Sequence, residues 1–493
     1  MHKWIALVAS LIACACGGGH DRGDDDGSGS GSGSGSAVDI LAQLQALPGV
    51  SVTELTSSQT ASGYRYFELE FTEPVDHTQP SGPTFQVEVS LMHRDVTVPM
   101  IAATSGYDDY IADSLAEPTL LLHANQISIE HRYFGTSYPA DDPQWTYCTI
   151  DQMAGDEHAI ISELGTIYAG AWVTTGGSKG GMTAVFDHRF YPDDAAGTLA
   201  YVAPLSFAIP DARYGSNLYE HPDDPGMCRA HVEAFTTDLL QNRRAALVSA
   251  AMSQATAMGY TYTRIAIGPA VESAVRDFEW TFWQYYGEQD CTLIPIDPTT
   301  LSDADAFQLL DALSPISFSD DDSTDEFQTY FVQAYSQLGS PGTVAVRGDA
   351  DPPYLDAYSM YSDTDFSQTF PASVAAPTYD PAPMQDIDTY VQSAASAHYI
   401  FIYGENDPWS GGEFRLGSSS DSMLATVADG THGASLAELG SDDQVAAFAK
   451  LQAWTGVTPD PTQLGTSVVL RDVRDPRVFR ATESRRLRRR RAW

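Results

Sequence analysis

Beyond residue 85, short apolar runs bounded by turn residues alternate with longer stretches whose apolar positions fall three and four apart. Residues 87–92, 100–104, 127–130, 171–175, 199–203, 399–403 and 423–427 have strand length, and several are apolar at nearly every position, as strands covered on both faces are. Residues 153–168, 180–189 and 444–454 carry helical spacing. Strand, turn, helix, strand is the order of an α/β protein with a mostly parallel sheet and helices on both faces.

Between 205 and 398 that alternation is lost. The segment is rich in helical and aromatic patterns, densest at Phe278-Glu279-Trp280-Thr281-Phe282-Trp283-Gln284-Tyr285-Tyr286. It reads as a large, mainly helical cap inserted between a first core part, 37–204, and a second, 399–470. Cys228 and Cys291 both fall inside it and are expected to pair, which leaves Cys148 in the core as a thiol. No CxxC or Cys/His spacing of the zinc type occurs, and no metal or cofactor is implied.

The ends differ from the body. Lys3 precedes an apolar run too short to span a bilayer, so residues 1–13 read as an export signal. Leu11-Ile12-Ala13-Cys14 resembles the lipobox of bacterial lipoproteins, which makes Cys14 the expected acylated residue; an ordinary cleaved signal fits the same residues. Residues 14–36 form an acidic and Gly/Ser tether. The expectation is an exported protein, anchored to a membrane by lipid alone or secreted.

Charge narrows the partners. Acidic residues number 66 against 26 basic, a formal net charge of −40, so the body repels nucleic acid and anionic membranes. Ten arginines crowd residues 471–493 against three acids, and this basic tail reads as a solvated, disordered end. The acidic stretch 320–326 fails the calcium-loop pattern, having Asp325 at the sixth position and Phe331 at the twelfth, and reads as a solvated loop. Oligomeric state leaves no mark on the sequence.

The chemistry centres on Gly176-Gly177-Ser178-Lys179-Gly180, a Gly-x-Ser-x-Gly between a strand and a helix. A serine on so sharp a turn tolerates only small neighbours, and the helix start behind it offers N–H groups to an oxyanion. This nucleophile elbow belongs to the α/β-hydrolase fold, where acid and histidine follow the serine in that order. Asp407, in a turn after the strand 399–403, is the expected acid, and His432, in a loop after 423–427, the expected base. The plain alternatives are a turn-capping aspartate before Pro408 and one of twelve ordinary histidines. The oxyanion donors are expected to be the backbone N–H groups of Lys179 and Tyr107. Adjacent helical side chains diverge, so the Lys179 ammonium is not expected to act on the serine.

Glu130-His131-Arg132-Tyr133-Phe134-Gly135-Thr136-Ser137-Tyr138-Pro139, the Gly177–Gly181 elbow with Tyr191-Pro192, and Asn406-Asp407-Pro408-Trp409-Ser410-Gly411-Gly412 together resemble the secreted bacterial prolyl tri- and tetrapeptidyl aminopeptidases, serine peptidases related to lysosomal prolyl carboxypeptidase. The resemblance runs from about residue 67 to 454. Lysine after the serine looks like the bacterial branch. It implies release of short peptides from a free N-terminus, with proline before the cut bond. Such an enzyme needs an anion for the substrate ammonium; Glu279 is the first candidate and Glu130 the second, with a structural role for Glu130 as its alternative. Trp280, Phe282 and Trp283 are candidate walls of a proline pocket, or cap core. An esterase using the same triad, and a binding protein that kept the fold without catalysis, are the competing readings.

Overall fold

In the computed structural model, which describes residues 38–56, 60–109, 114–220, 228–342, 352–361 and 369–466, nine strands form one sheet. The leader, Cys14, the tether and the arginine-rich tail lie outside the described residues. Contacts divide the chain after Asp39, and the unit that begins at Ile40 carries the sheet. The strands are β1 (Val50–Leu55), β2 (Arg65–Pro74), β3 (Thr84–His93), β4 (Met100–Thr104), β5 (Asn125–Ile129), β6 (Trp172–Gly177), β7 (Gly197–Tyr201), β8 (Tyr399–Gly404) and β9 (Met423–Val427). Their order across the sheet is β1-β2-β3-β5-β4-β6-β7-β8-β9.

The pairs β1–β2, β2–β3 and β3–β5 are antiparallel; every pair from β5 across to β9 is parallel. Strands β3 to β9 lie on the runs expected from the sequence, and β1 and β2 add an antiparallel flank that the reading did not assign. From β4 the chain moves to β5 on one side and then crosses to β6 on the other. The reversal between β4 and β6 opens a crevice at the strands' carboxyl ends, where ligands of open α/β sheets sit.

Alternating residues feed both faces. A short helix, α1 (Ile40–Leu44), precedes β1; on one face of the sheet Ile101, Ala103, Val173, Leu199, Ile400 and Ile402 pack with α2 (Glu117–Leu122) and, from the far end of the chain, the helix Ser441–Thr455. Tyr399, Phe401 and Ala200 pack on the other face with Met182, Val185 and Phe186. That face is covered by α3 (Ile150–Leu164) and α4 (Lys179–Phe190). Such two-sided burial is why these strands read as continuous apolar runs.

The insertion contains α5 (Arg213–Glu220), α6 (Cys228–Asn242), α7 (Arg244–Met258), α8 (Ile267–Arg276), α9 (Phe278–Tyr285), α10 (Asp303–Leu313) and α11 (Asp321–Gln333). It has its own apolar cluster, which includes Phe235, Leu239, Val275, Phe278, Phe282, Trp283 and Leu310. A disulfide joins Cys228 at the start of α6 to Cys291 beyond α9, and Cys148 is a buried free thiol.

Two expectations are corrected here. Helix α12 (Ala382–Val391) falls inside the range assigned to the cap, yet Met384, Ile387 and Val391 pack on Phe401 and Val185, so the chain is back in the sheet's covering layer before residue 398. The acidic stretch 320–326 is no solvated loop but the start of α11. Asp320 caps it, accepting from the Ser323 N–H at 2.8 Å, and Asp321 accepts from the N–H groups of Thr263 and Arg264 at 2.8 and 3.0 Å. Negative charge at a helix N-terminus is favourable there. Helix α13 is the Ser441–Thr455 helix named above.

Candidate active site

Strand β6 delivers Ser178 onto the N-cap of α4 at φ 55°, ψ −124°, a backbone strained for any residue with a Cβ. The turn closes because its neighbours are small: a Cβ on Gly180 would run into the Thr104 carbonyl at the end of β4. The Ser178 N–H is held by the Tyr201 carbonyl at 2.9 Å, which ties the elbow to β7. The first turn of α4 leaves its N–H groups, that of Lys179 first, without intrahelical acceptors.

Asp407 and His432 stand in the loops after β8 and β9, and both are buried, at 0% and 2% exposure. His432 Nδ1 lies 2.6 Å from Asp407 Oδ2. With its proton on Nδ1 the imidazole keeps Nε2 as its basic nitrogen. Asp407 Oδ1 accepts from the Trp409 N–H at 3.1 Å, so both carboxylate oxygens are engaged. The loops are bonded to each other through Asn406 N–H and the Gly430 carbonyl at 2.8 Å, and a Cβ at Gly404 would strike the Thr431 carbonyl. Among the described residues, the Ser178 hydroxyl makes no hydrogen bond to His432.

Residues that sequence reasoning did not single out hold this pair in place. The Gln284 carbonyl, on α9, accepts from the His432 N–H at 2.8 Å, and Asn217 of α5 donates to the Asp407 carbonyl at 3.1 Å. The buried Glu117 of α2 accepts from the N–H groups of Leu436 and Ala437, both at 3.0 Å, and fixes the chain just past His432. Rings of Tyr285 and Trp409 lie 6.4 and 6.2 Å from the imidazole. Gln284 and Tyr285 belong to the aromatic run already conspicuous in sequence; nothing local marks Asn217 or Glu117.

Several expected substrate contacts are corrected. Glu279 is 1% exposed, and its carboxylate is already bound by Arg229 at 2.9 Å and by the Tyr354 hydroxyl at 3.0 Å. Burial pushes its pKa up to about 7. A group so enclosed and partnered is not open to a substrate ammonium. Glu130 clamps its own loop, accepting from the N–H groups of Thr136, Ser137 and Asp109 at 2.7, 3.1 and 3.2 Å. Trp283 has 0% exposure and Phe282 is equally enclosed, so neither ring has a face free to stack on a ligand; both are cap core. Trp280 alone of that set is half-buried, its ring 5.1 Å from Trp409 and 6.1 Å from Tyr214.

The oxyanion side also differs. The Tyr107 N–H is taken by Ser105 Oγ at 3.0 Å, because the 105–108 turn bonds itself internally. The Lys179 side chain diverges from the serine as expected; it is buried and donates from Nζ to the Gly106 carbonyl.

A strained serine on a strand-to-helix turn, together with an Asp–His couple past two later parallel strands, defines a serine hydrolase of the α/β-hydrolase fold. Residues 33–485 match the S37 family of peptidases, described as PS-10 peptidase S37, and the chain belongs to that family of serine peptidases. It is 33% identical over 429 residues to the prolyl tri/tetrapeptidyl aminopeptidase of Streptomyces mobaraensis, covering 86% of this chain and 87% of that one. Among solved structures, a proline iminopeptidase of Mycobacterium smegmatis aligns at 14% identity and TM-score 0.33 over 78% of this chain and 98% of its own. An α/β-fold hydrolase of Bacillus anthracis aligns at 11% and 0.30 over 75% and 95%. Likeness that slight adds nothing to a fold already defined by the strand order.

Proposed function

We propose that the chain releases tri- and tetrapeptides from free N-termini, cutting after proline, with Ser178 as nucleophile, His432 as base and Asp407 as the acid that orients it. The reading rests above all on the 2.6 Å Asp407–His432 couple at the sheet rim that also carries the strained Ser178, and on the name of the Streptomyces relative.

Ser178 Oγ adds to the carbonyl carbon of the proline as His432 Nε2 takes its proton, giving a tetrahedral oxyanion beside the N–H groups at the start of α4. His432 returns the proton to the departing amine, the C–N bond breaks, and an acyl-enzyme remains. Water, deprotonated by the same nitrogen, releases the short peptide and regenerates the serine. Asp407 keeps the Nδ1–H tautomer and stabilises the imidazolium. The step from serine to imidazole tightens as substrate binds, as such bonds commonly do. Trp280, half-buried beside Trp409, is the aromatic surface offered to the proline ring.

The test is product mass spectrometry on peptides with proline at varied distance from the N-terminus, with fluorophosphonate labelling alongside. Ser178→Ala should abolish both turnover and labelling. Equal cleavage of N-acetylated peptides would overturn the aminopeptidase reading, and turnover of short acyl esters without peptides would make the enzyme an esterase.

Export is proposed as well: the Cys228–Cys291 disulfide suits an oxidising compartment, and residues 1–14 suit a lipoprotein leader. Mass spectrometry of the mature N-terminus tests it. An acylated Cys14 supports the anchor, and an intact Met1 refutes export through this leader.

A further inference from the structure

We propose that the Lys179 side chain is a positioning residue for the oxyanion site, holding the 105–108 turn over the start of α4 by gripping the Gly106 carbonyl. The inference rests on the reading of Ser178 as nucleophile.

Lys179 is 3% exposed. Its Nζ donates to the Gly106 carbonyl and lies 5.1 and 5.3 Å from the ring centres of Tyr107 and Phe134. The turn and the helix are in contact: at Gly106, φ +75°, a Cβ would come within 2.9 Å of the Gly180 nitrogen and the Lys179 backbone. One element therefore carries both the nucleophile and the hook that fixes the turn facing it.

A trans peptide is planar, so its carbonyl and N–H point in opposite directions. The bond from Lys179 to the Gly106 oxygen on one side and the bond from the Tyr107 N–H to Ser105 Oγ at 3.0 Å on the other together orient the Gly106–Tyr107 peptide. They keep the negative end of that dipole away from the place where the substrate oxygen gains charge. The rest of the turn is anchored independently, by Ser105 Oγ donating to the Asp108 carbonyl at 2.6 Å and by the His131 N–H donating to the Tyr107 carbonyl at 2.9 Å. Among these anchors, Lys179 is the one that holds the Gly106 carbonyl.

Packing alone gives no reason for an ammonium here. A buried charge costs several kcal/mol unless well compensated, and a methionine would fill the same tube of space. The groups around it are Glu157 of α3, whose carboxyl burial pushes up to about 8, Cys148, whose thiol burial pushes up to about 12, and His131, whose ring is held well below its usual pKa by burial and by Lys179 itself. Burial brings Lys179 down to about 7.

The test uses the full chain. Lys179→Met should lower kcat roughly 10- to 100-fold, less than the loss of an oxyanion donor outright, and leave KM within about threefold. Affinity for a peptidyl-prolyl boronate, whose tetrahedral adduct places an anionic oxygen where the substrate's forms, should fall by the same factor. The unfolding temperature should hold or rise, since a buried charge is removed. Lys179→Arg, which keeps a cationic donor, should recover about tenfold over the methionine variant. If Lys179→Met does not fold, Lys179→Gln reads the same split. Wild-type kcat and boronate affinity in a folded Lys179→Met protein would overturn the proposal. So would a fall in kcat matched by a fall in stability and a rise in KM, which marks a merely structural lysine. Ser178→Ala separates the two readings: turnover surviving it refutes the nucleophile itself, whereas a dead Ser178→Ala beside a fully active Lys179→Met refutes only the role of the lysine.

Discussion

The sheet rim and the helical cap both bury charged and aromatic residues, and they use them differently. At the rim, Asp407 meets His432 across two loops, and Lys179 meets one backbone carbonyl. In the cap, Glu279 is matched by Arg229 and Tyr354, and Glu272 by Arg244 and Ser359. The rim pairs an acid with an imidazole past two neighbouring strands; the cap neutralises its acids with its own arginines. A buried acid thus signals a site only when its partner is also part of the chemistry. The contrast extends to neighbours on one helix, since Trp280, at the edge of the cap cluster, also meets the Trp409 ring, while Trp283 is sunk within the cluster.

The largest test of this contrast is at the rim. Asp407→Asn leaves a hydrogen-bonding group but favours the wrong imidazole tautomer, and kcat should fall on the order of 10⁴-fold with little change in unfolding temperature. A stability loss with activity retained would make Asp407 a cap-like structural acid. In the cap the effects should reverse: Trp283→Ala should cost about 3–5 kcal/mol in denaturant unfolding, leaving kcat per folded molecule within a few-fold.

Removing the disulfide as Cys228→Ser with Cys291→Ser releases a loop with a sequence separation of 63, and about 2–4 kcal/mol of stability should go with it. Comparing oxidised and reduced wild type in urea checks the same number. Trp280→Ala should lower kcat/KM for proline substrates about tenfold, equivalent to about 1.4 kcal/mol, and do less to substrates with alanine in that place. An equal loss on both would return Trp280 to the cap core.

The smallest effect is in pH. Asp109 and Glu279 are raised by burial to about 7, and Glu73 and Glu157 to about 8. An acid whose folded pKa is raised binds more protons folded than unfolded between its two values, so stability falls as pH rises through that window. Unfolding temperature should therefore drop by a few degrees from pH 5 to pH 7, and Glu279→Gln should flatten that slope. A slope left unchanged by Glu279→Gln would show that this carboxyl is ionised in the folded protein.

Much of the site was legible along the chain. The strand at 399–403 reads as a continuous apolar run because both its faces are covered, whereas 423–427, at the sheet edge, is only partly covered and leaves Thr426 exposed; the turns just past the two strands carry Asp407 and His432. Strand β2 alternates Phe67, Leu69 and Phe71 with Glu68, Glu70 and Thr72, a period of two that marks one buried face and a flank rather than the centre of the sheet. Glu279 misled because an acid in an aromatic run looks the same whether an arginine waits fifty residues upstream or a substrate waits outside. The acidic stretch at 320 misled for a similar reason, since a helix N-terminus and a solvated loop favour the same residues.

Local sequence determined the elbow, the turns that carry Asp407 and His432, and the central strands, because turn chemistry and strand burial act over a few residues. Tertiary structure alone decided which carboxylates are taken up by the protein's own partners. That depends on partners such as Arg229 for Glu279, or the 136–137 backbone for Glu130, brought near by folding rather than by spacing. It also decided what Lys179 does, because the carbonyl it grips lies 73 residues away on another strand's loop, and only the packing of β4 against β6 brings the two together.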